Sequence, residues 1–230
     1  MTHTVINRIL FIIISILLNI IILLSCVQIV AYDINYYKIQ YYEHDVYNQI
    51  GIEESELIKS TQKLLDYIKD KRNNLDFKAN IRGEMVDFFS ERDKMHMIDV
   101  KNLFQIGYII RNGLALIIVV IIYILKFNNS LKINVGKCLL FFPIIGVIPF
   151  LILIILIKID FNRYFTIFHE MFFTNDLWLL DPVTDRLVNI FPEEFFANIA
   201  IRIIMFYFAS QLVFFIVGFL KRHRDNRAKA

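Results

Sequence analysis

The sequence predicts an all-α polytopic membrane protein with four transmembrane helices and an extracellular layer of interfacial and amphipathic helices. The first observation is composition: 57% of the 230 residues are hydrophobic, whereas soluble domains average about 45–50% apolar residues. The second is that 20% of the residues are charged, which is too many for a chain buried wholly in lipid. The third is that the apolar residues concentrate in four long runs, so the chain divides into spanning helices and a folded aqueous part.

Each of the four apolar runs reaches the length of a spanning helix, about 20 residues. Such runs are too long and too uniformly apolar for barrel strands, and an open sheet would leave unpaired edge groups in hydrocarbon. We expect the whole chain, 1–230, to form a single membrane domain. The predicted spans cover about residues 9–31, 103–125, 138–157 and 197–220.

Basic residues in short flanks indicate the orientation, because such flanks stay in the cytoplasm. Arg8 precedes the first span, segment 126–137 has three lysines and no acid, and segment 221–230 has five basic residues and one acid. From 160 to 198, two arginines stand against seven acids. We therefore predict a cytoplasmic N-terminus, cytoplasmic segments at 126–137 and 221–230, and extracellular segments at 32–102 and 158–196.

The first span has some features of a signal peptide, but its apolar run is longer than a signal core and no small-residue cleavage site follows. Leu23-Leu24-Ser25-Cys26 resembles a lipobox, although apolar sequence continues through Val30. An uncleaved anchor helix with Cys26 as a small apolar residue is the favoured interpretation. Cys138 opens the third span at the opposite membrane face, so the distance excludes a disulfide with Cys26.

The first extracellular segment contains three local signals. Tyrosines at 36, 37, 41 and 42 directly follow a span, which is typical of an interfacial belt with rings at headgroup level. Residues 53–72 have the spacing of an amphipathic helix. Ser90, with Asp93 three residues later, is an N-cap signal for a helix that carries His96 and Asp99 and continues into the second span.

The second extracellular segment begins at Asp160 with a pattern that is typical of a helix lying in the interface. Phenylalanines occupy one side of this helix and polar residues, including His169, the other. Asp181 followed by Pro182 predicts a further helix start. Pro192, followed by two glutamates, predicts the start of the helix that contains the fourth span.

His96 and His169 are the strongest candidates for chemistry, since both are predicted just above the membrane surface. A lone histidine is more often a solvated or hydrogen-bonded side chain, and His44 has no setting that favours more than this. Arg111 and Arg202 lie inside predicted spans, where a charge indicates function by default. The alternative explanation is structural: each side chain extends its charged end to the membrane surface or pairs with an acid.

Several other chemistries lack their motifs. His169-Glu170 begins like a zinc-protease motif, but Phe173 stands where the second histidine is required. The sequence contains no nucleophile elbow of the G-x-S-x-G type, no glycine-rich phosphate loop and no nucleic-acid signature. We therefore expect no metal, no cofactor and no nucleic-acid partner.

Two stretches resemble the signatures of a known family. The first is residues 89–100, which surround His96, and the second runs from Phe168 to Glu193 and includes His169. In this order, with four spans and a long first outer loop, they resemble the bacterial lipoprotein intramolecular transacylases of low-GC Gram-positive bacteria. The resemblance covers nearly the whole chain.

The resemblance implies an acyltransferase of the cell membrane that acts on diacylglyceryl-modified lipoproteins, with membrane lipid as its surroundings. One acyl chain would move from the sn-2 oxygen of the glyceryl group to the free α-amine of the N-terminal cysteine, which gives the lyso form. It also implies that His96 and His169 are the functional histidines. An imidazole with a pKa near 6.5 can take a proton from the amine or give one to the departing alkoxide.

We interpret His169 as the base and His96 as the acid or oxyanion donor; the reverse order and a covalent acyl-imidazole intermediate remain open. The expected supporting residues comprise carboxylates that orient an imidazole through its second nitrogen, and an indole N–H that stabilises the oxyanion. They are Asp99, Glu91, Asp176 and Trp178.

Two other classes of function compete with this one. A non-catalytic sensor or assembly factor would use the extracellular layer to bind a partner, and the two histidines would then be structural. A small transporter is less well supported, because the sequence contains neither discontinuous spans nor internal repeats.

Cysteine labelling tests the orientation. In a chain whose Cys26 and Cys138 are replaced by alanine, a reagent that does not cross the membrane should modify a cysteine placed at Asp176. The same reagent should miss a cysteine placed at Asn129, because that position lies in a lysine-containing cytoplasmic flank. The reverse pattern would overturn the orientation and the location of the predicted site.

Overall fold

The structure is a computed structural model that describes residues 2–127 and 135–227, with side chains for 5–127 and 136–227. Residues 128–134 of the predicted cytoplasmic segment, Asn129 among them, and the last three residues lie outside this description. The elements are α1 Thr2–Ala31, α2 Ile34–Glu43, α3 Val46–Ile50, α4 Glu54–Ile68, β1 Lys78–Ile81, β2 Glu84–Asp87, α5 Glu91–Phe127, α6 Val135–Ile159, α7 Phe161–Phe172, α8 Leu187–Ile190 and α9 Glu193–Arg227.

Four helices in the described ranges, α1, α5, α6 and α9, are long and apolar enough to cross a membrane. Each contains one of the four predicted spans. This confirms a multi-pass membrane protein of the all-α class. The helices extend beyond the predicted spans because polar turns at their ends continue the same backbone hydrogen bonding.

Side-chain caps explain where two of the helices begin. The hydroxyl of Ser90 accepts from the backbone N–H of Asp93 at 2.9 Å, and the Asp93 carboxylate accepts from the Ser90 N–H at 3.1 Å. This reciprocal pair satisfies two donors at the start of α5 and confirms the predicted N-cap. At the start of α7, the Asp160 carboxylate accepts from the N–H of Arg163 at 3.0 Å.

The chain divides into two compact units. The span unit comprises Met1–Gln28, Tyr108–Leu156 and Ile201–Ala230. The polar unit comprises Ile29–Gly107 and Ile157–Ala200.

A buried amide organises the span unit. The Asn19 side-chain nitrogen donates to the backbone carbonyls of Ser15 at 2.8 Å and Phe142 at 3.2 Å. Its side-chain oxygen accepts from the Tyr207 hydroxyl at 2.5 Å and from the Gln211 amide at 3.0 Å. Since unpaired polar groups are costly in hydrocarbon, this network ties α1, α6 and α9 together.

Tyrosines of α2 lie in the core of the polar unit. Tyr36, Tyr37 and Tyr41 are buried, and the Tyr41 hydroxyl is 2.7 Å from that of Thr61 on α4. Only Tyr42 is fully exposed. The interfacial belt predicted from this run is therefore wrong for three of its four rings. Tyr41 packs against α4, and Tyr36 and Tyr37 pack against Phe195 and Phe191.

A β-hairpin in the polar unit was not predicted. Strands β1 and β2 are antiparallel, with Lys78 opposite Asp87 and Ile81 opposite Glu84. Between them Arg82 and Gly83 have φ values of 53° and 88°. Two successive positive φ angles define the two-residue hairpin turn that suits the twist of the strands, and glycine adopts one at no steric cost.

The helix predicted to start at Asp181-Pro182 does not form there. The Asp181 carbonyl accepts from Thr184 at 3.1 Å and from Asp185 at 2.7 Å, which closes one turn. The chain then leaves the helical path, and α8 begins at Leu187. The Asp185 carboxylate accepts from the Asp181 N–H at 2.8 Å, and the Asp181 carboxylate accepts from the Val183 N–H at 2.9 Å, so these side chains close a local turn.

Gly146 is the most tightly packed of the glycines described in the span unit. A Cβ at this position would clash with the Asn19 side-chain oxygen and the Tyr207 hydroxyl. Gly146→Ala should therefore lower the free energy of unfolding by about 1–3 kcal/mol, the usual cost of overpacking. The readout is the thermal unfolding midpoint in detergent.

Gly113→Ala is the matched control, because a Cβ there meets nothing within 4 Å. This variant should be neutral or slightly more stable, since alanine favours helix over glycine by up to about 1 kcal/mol. Equal loss of stability in the two variants would contradict the tight contact at Gly146.

Candidate functional site

Helices α5 and α7 bring two histidines of the polar unit together. The ring centroids of His96 and His169 are 6.2 Å apart, and the ring planes are inclined by 36°. Both side chains are buried, with 7% and 8% of their surface exposed. The separation falls in the range of roughly 3 to 8 Å over which two acid–base groups can share a substrate group directly or through one water.

Aromatic rings surround the pair. Trp178 stacks on His169 with centroids 4.9 Å apart, and Phe165 meets the same imidazole edge-on at 4.3 Å. Phe173 packs edge-on against His96 at 5.4 Å. His169 was predicted on the polar side of α7, yet it is the buried residue of that helix. The helix therefore directs its imidazole into the protein.

A backbone carbonyl determines the tautomer of His169. Its Nδ1 lies 2.7 Å from the carbonyl oxygen of Phe165, one turn earlier in α7. A carbonyl only accepts hydrogen bonds, so Nδ1 carries the proton and Nε2 of the neutral ring keeps its lone pair. Burial lowers the pKa of His169, and the bond to Phe165 opposes that shift. The neutral imidazole, with Nε2 as an acceptor, is therefore favoured near neutral pH.

His96 differs from its neighbour in hydrogen bonding. Its Nδ1 is buried and has no hydrogen-bond partner among the described residues. A buried polar atom without a partner costs about 1–3 kcal/mol, and native structures retain few of them. Such an atom, on a ring beside a second buried imidazole, is suited to contact a bound molecule.

A buried carboxylate attaches the segment after α7 to the helix that carries His96. Asp93 is fully buried and lies one turn before His96 on α5. Its carboxylate accepts from the backbone N–H groups of Arg186 at 3.0 Å and Leu187 at 3.3 Å, in addition to the Ser90 N–H. The segment that contains Trp178 therefore follows α7 in the chain, and its far end is attached by hydrogen bonds to the first turn of α5.

Two neighbouring side chains reinforce this attachment. The Asp185 carboxylate accepts from the Ser90 hydroxyl at 2.7 Å. The Arg186 guanidinium donates to the carbonyls of Asp87, at 2.7 Å, and Phe88. Sequence reasoning missed the positioning role of these residues. The signal at Ser90 and Asp93 indicated only a helix start, because local spacing does not reveal a partner some 90 residues away.

Two of the predicted supporting carboxylates are engaged elsewhere. Glu91 accepts from the Lys94 ammonium at 2.8 Å. Asp176 lies 3.8 Å from the Arg92 guanidinium, which also donates to the Asp176 backbone carbonyl. Neither carboxylate bonds an imidazole within the described ranges, and the Phe165 carbonyl takes the orienting place that was expected of them at His169.

Asn175 engages the other two supporting residues. Its side-chain amide donates to the Asp99 carboxylate at 2.9 Å, and the negative charge of Asp99 opposes the effect of burial on the pKa of His96. The indole N–H of Trp178 donates to the Asn175 carbonyl at 2.9 Å. The N–H that was expected to face an oxyanion is thus already paired, and Trp178 contacts His169 through its ring face.

The two arginines predicted inside the spans each have a neighbour in the span unit. The Arg111 guanidinium donates to the side-chain oxygens of Gln28 and Asn112, the latter at 3.0 Å. Arg202 lies over the ring of Phe206, with 5.7 Å to its centroid. Pairing within the span unit therefore accounts for Arg111 without an acid. Among described residues no group of three or more His, Cys, Asp and Glu side chains could hold a metal ion.

The buried, neutral state of His169 predicts a pH dependence of stability. The unfolded chain takes up this proton near pH 6.5, and the folded chain only at lower pH. The free energy of unfolding should therefore fall as pH drops from about 6.5 towards the folded pKa. His169→Phe removes this contribution, so its unfolding midpoint in detergent should fall less between about pH 7 and pH 5 than that of the wild type.

Met171→Leu is the control for a substitution on α7, because Met171 is exposed and does not titrate. It should keep the wild-type pH dependence. A His169→Phe variant that loses as much stability on acidification as the wild type would contradict the assignment of a depressed pKa to His169.

Solved structures resemble the chain along nearly its whole length. The membrane integral lipoprotein intramolecular transacylase Lit from Bacillus cereus matches with a TM-score of 0.78 and 23% identity, over 97% of this chain and 98% of that chain. A variant of that protein with one histidine replaced by arginine matches with a TM-score of 0.77 and 22% identity, over 97% and 95% of the two chains. A variant with alanine there matches with 0.74 and 23%, over 95% and 96%. At these identities the likeness establishes the fold.

The family is established by sequence. No curated protein sequence matches the chain significantly. The family model described as lipoprotein intramolecular transacylase Lit matches residues 12–196, well over half of the chain. The chain therefore belongs to the lipoprotein intramolecular transacylase Lit family, whose members are named as acyltransferases of the transacylase type.

Proposed function

We propose that this protein moves the sn-2 acyl chain of an S-diacylglyceryl lipoprotein to the free α-amine of the same N-terminal cysteine, with His96 and His169 as acid–base catalysts. The observation that carries the proposal is the pair of buried imidazoles whose centroids lie 6.2 Å apart. Family membership supplies the reaction class, and the paired rings supply groups able to perform it.

His169 acts as the base. Its Nδ1 proton is held by the Phe165 carbonyl, so the Nε2 lone pair is available to the amine. Its lowered pKa keeps the ring neutral near pH 7, which is the form that accepts a proton. As the amine nitrogen bonds to the ester carbonyl carbon, its proton passes to Nε2.

His96 acts as the acid. The tetrahedral intermediate collapses by breaking the bond between the carbonyl carbon and the sn-2 oxygen, and the departing oxygen takes up a proton from this imidazole. The buried Nδ1 of His96, which has no partner among the described residues, supports a role in contact with substrate. Burial and the neighbouring His169 lower the pKa of His96 to about 4, so this ring too is neutral at pH 7. It becomes an acid only after the proton that His169 took from the amine has passed to it. Both imidazoles then end the cycle as they began, and one proton has moved from nitrogen to oxygen without water or a cofactor.

The aromatic surroundings favour transfer over hydrolysis. Trp178, Phe165 and Phe173 cover the two rings and limit the access of water to the ester. The nucleophile and the ester belong to one molecule, so the protein mainly has to fold that molecule into reactive geometry. Well-oriented intramolecular reactions reach effective molarities of about 10⁵–10⁸ M, which leaves modest work for the acid and base.

We place the site at the extracellular membrane interface. Both histidines fall in segments predicted to be extracellular, 32–102 and 158–196, and the second of these is strongly acidic. A lipoprotein anchored by its diacylglyceryl group would present its ester and its amine at this depth.

The reaction can be tested in a bacterium whose lipoproteins carry a diacylglyceryl group and a free N-terminus. Expression of the protein should give N-acyl, S-monoacylglyceryl lipoproteins of unchanged intact mass, since the transfer conserves atoms. Fragmentation distinguishes the two forms, because an amide-linked acyl chain stays on the N-terminal peptide when the thioether is lost. His96→Ala and His169→Ala should each abolish the product, since loss of an acid or base typically costs about 10²–10⁴ in rate.

His44→Ala is the matched control, because His44 ends α2 as its C-cap and does not belong to the pair. It should keep wild-type product levels, and membrane accumulation of all three variants shows that they fold. Persistent N-acyl product in both site variants would overturn the histidine assignment. Absence of product with the wild type would overturn the transacylase proposal in favour of a non-catalytic role.

A further inference from the structure

We infer that the cavity beside the two histidines binds the substrate's α-ammonium group, with the Asp99 carboxylate as its counter-ion. The inference rests on the proposed function and deepens it. It assigns Asp99 as the residue that distinguishes an unacylated N-terminus from an acylated one.

The cavity lies between one face of α5 and the end of α7. It has a volume of about 140 Å³ and is lined by Asp99, Asn102, Leu103 and Ile106 of α5 together with residues 172–175. Each water molecule in the liquid takes up about 30 Å³, so the cavity has room for roughly four or five groups of that size. That is enough for an ammonium group and the atoms next to it.

The lining changes from polar to apolar. Asp99, Asn102 and Asn175 supply a carboxylate and two amides, whereas Leu103 and Ile106 supply only hydrocarbon. An N-terminal cysteine that carries a thioether-linked lipid also has a polar and an apolar part, because its charged nitrogen lies a few bonds from methylene groups. The cavity therefore matches the chemistry at the substrate's reacting end.

The charge of Asp99 is not neutralised by a cation within the described ranges. Its hydrogen-bond partner is the neutral amide of Asn175, at 2.9 Å. The nearby basic side chains bond other acids: Arg92 lies 3.8 Å from Asp176, and Lys101 lies 2.6 Å from Asp70. A partly enclosed carboxylate with a neutral partner attracts a cation, and a primary ammonium forms short, charge-assisted bonds to it.

The cavity adjoins the catalytic pair. Asp99 follows His96 by three residues on α5, so both side chains project from the same side of the helix, about 4.5 Å apart along its axis. Phe173 lines the cavity, and its ring lies 5.4 Å from that of His96 and 5.6 Å from that of His169. The ammonium bound at Asp99 first gives up one proton to solvent, and the resulting amine lies close to His169, which takes the second proton as the C–N bond forms.

This arrangement makes the site selective for substrate over product. The substrate's nitrogen is positively charged before transfer, whereas the product's nitrogen is an amide that cannot be protonated at neutral pH. Binding to Asp99 is thus lost when the acyl chain arrives. N-acylated lipoproteins should bind weakly for the same reason.

Equilibrium binding of unreactive analogues tests the inference. The probes are S-(dialkylglyceryl)cysteinyl peptides, whose ether links cannot transfer, with either a free or an acetylated α-amine. At about pH 6 the detergent-solubilised wild type should bind the free-amine probe at least about tenfold more tightly than the acetylated probe. The preference should decline as pH rises through the amine's ordinary pKa of about 7.7–8.0.

The variants separate charge from structure. Asp99→Asn keeps the shape of the side chain and should lose the preference while binding the acetylated probe as tightly as the wild type, which shows that the cavity is intact. Asp99→Glu keeps the charge and should retain a preference. Glu170→Gln, which removes an exposed acid next to His169 that does not line the cavity, should behave as wild type.

Two results would overturn the ammonium site: a wild type that binds both probes equally, or an Asp99→Asn variant that keeps the full preference. Failure of the proposed function gives a different result. The wild type would then form no N-acyl product from the ester substrate, while its preference for the free-amine probe and the loss of that preference in Asp99→Asn would persist.

Discussion

The buried carboxylate of Asp93 is the interaction on which the arrangement of the site depends. It is fully buried and accepts from three backbone N–H groups, those of Ser90, Arg186 and Leu187. Without it these donors would lose their partner, at about 1–3 kcal/mol for each one left unsatisfied. Because it attaches the Arg186–Leu187 end of the segment after α7 to the start of α5, it also limits where Trp178 can lie. The stack of Trp178 on His169 therefore depends on hydrogen bonds made at the start of α5, on a different helix from His169.

Burial gives the two histidines properties that they would not have in water. A solvated imidazole exchanges its tautomers and is partly charged at neutral pH. His169 is surrounded by aromatic rings and bonded to the Phe165 carbonyl, so one tautomer and the neutral form are selected together. His96 contributes a buried nitrogen without a partner among the described residues. The unpartnered Nδ1 of His96 costs folding free energy that a hydrogen bond to a bound molecule would recover.

The features that could be predicted from sequence were those that depend on local pattern. The four apolar runs predicted the long helices, and Ser90 with Asp93 predicted the start of α5, because length, hydropathy and capping are local. Predictions failed where a distant partner decided the outcome. Tyr36 and Tyr37 have the pattern of an interfacial belt but are buried in the polar unit against Phe195 and Phe191. The helix predicted at Asp181 fails instead for a local reason, because the Asp185 carboxylate takes the Asp181 N–H. His96 and His169 were singled out by their predicted position beside the membrane and by the family resemblance. The hydrogen bond between His169 and a backbone carbonyl left no trace in the spacing of acidic residues.

A carboxylate that binds an ammonium beside a base affects the rate in two opposite ways. It concentrates the amine at the reacting centre, but it also stabilises the protonated form, which is not a nucleophile. Each factor of ten in that ground-state preference adds about 1.4 kcal/mol to the cost of deprotonation unless the transition state keeps the contact. The amide of Asn175 donates to the same carboxylate and so disperses its charge. The neutral state of His169 supplies the acceptor for the proton. A moderate ammonium affinity therefore serves the reaction better than a strong one, since it contributes selectivity without trapping the substrate in its charged form.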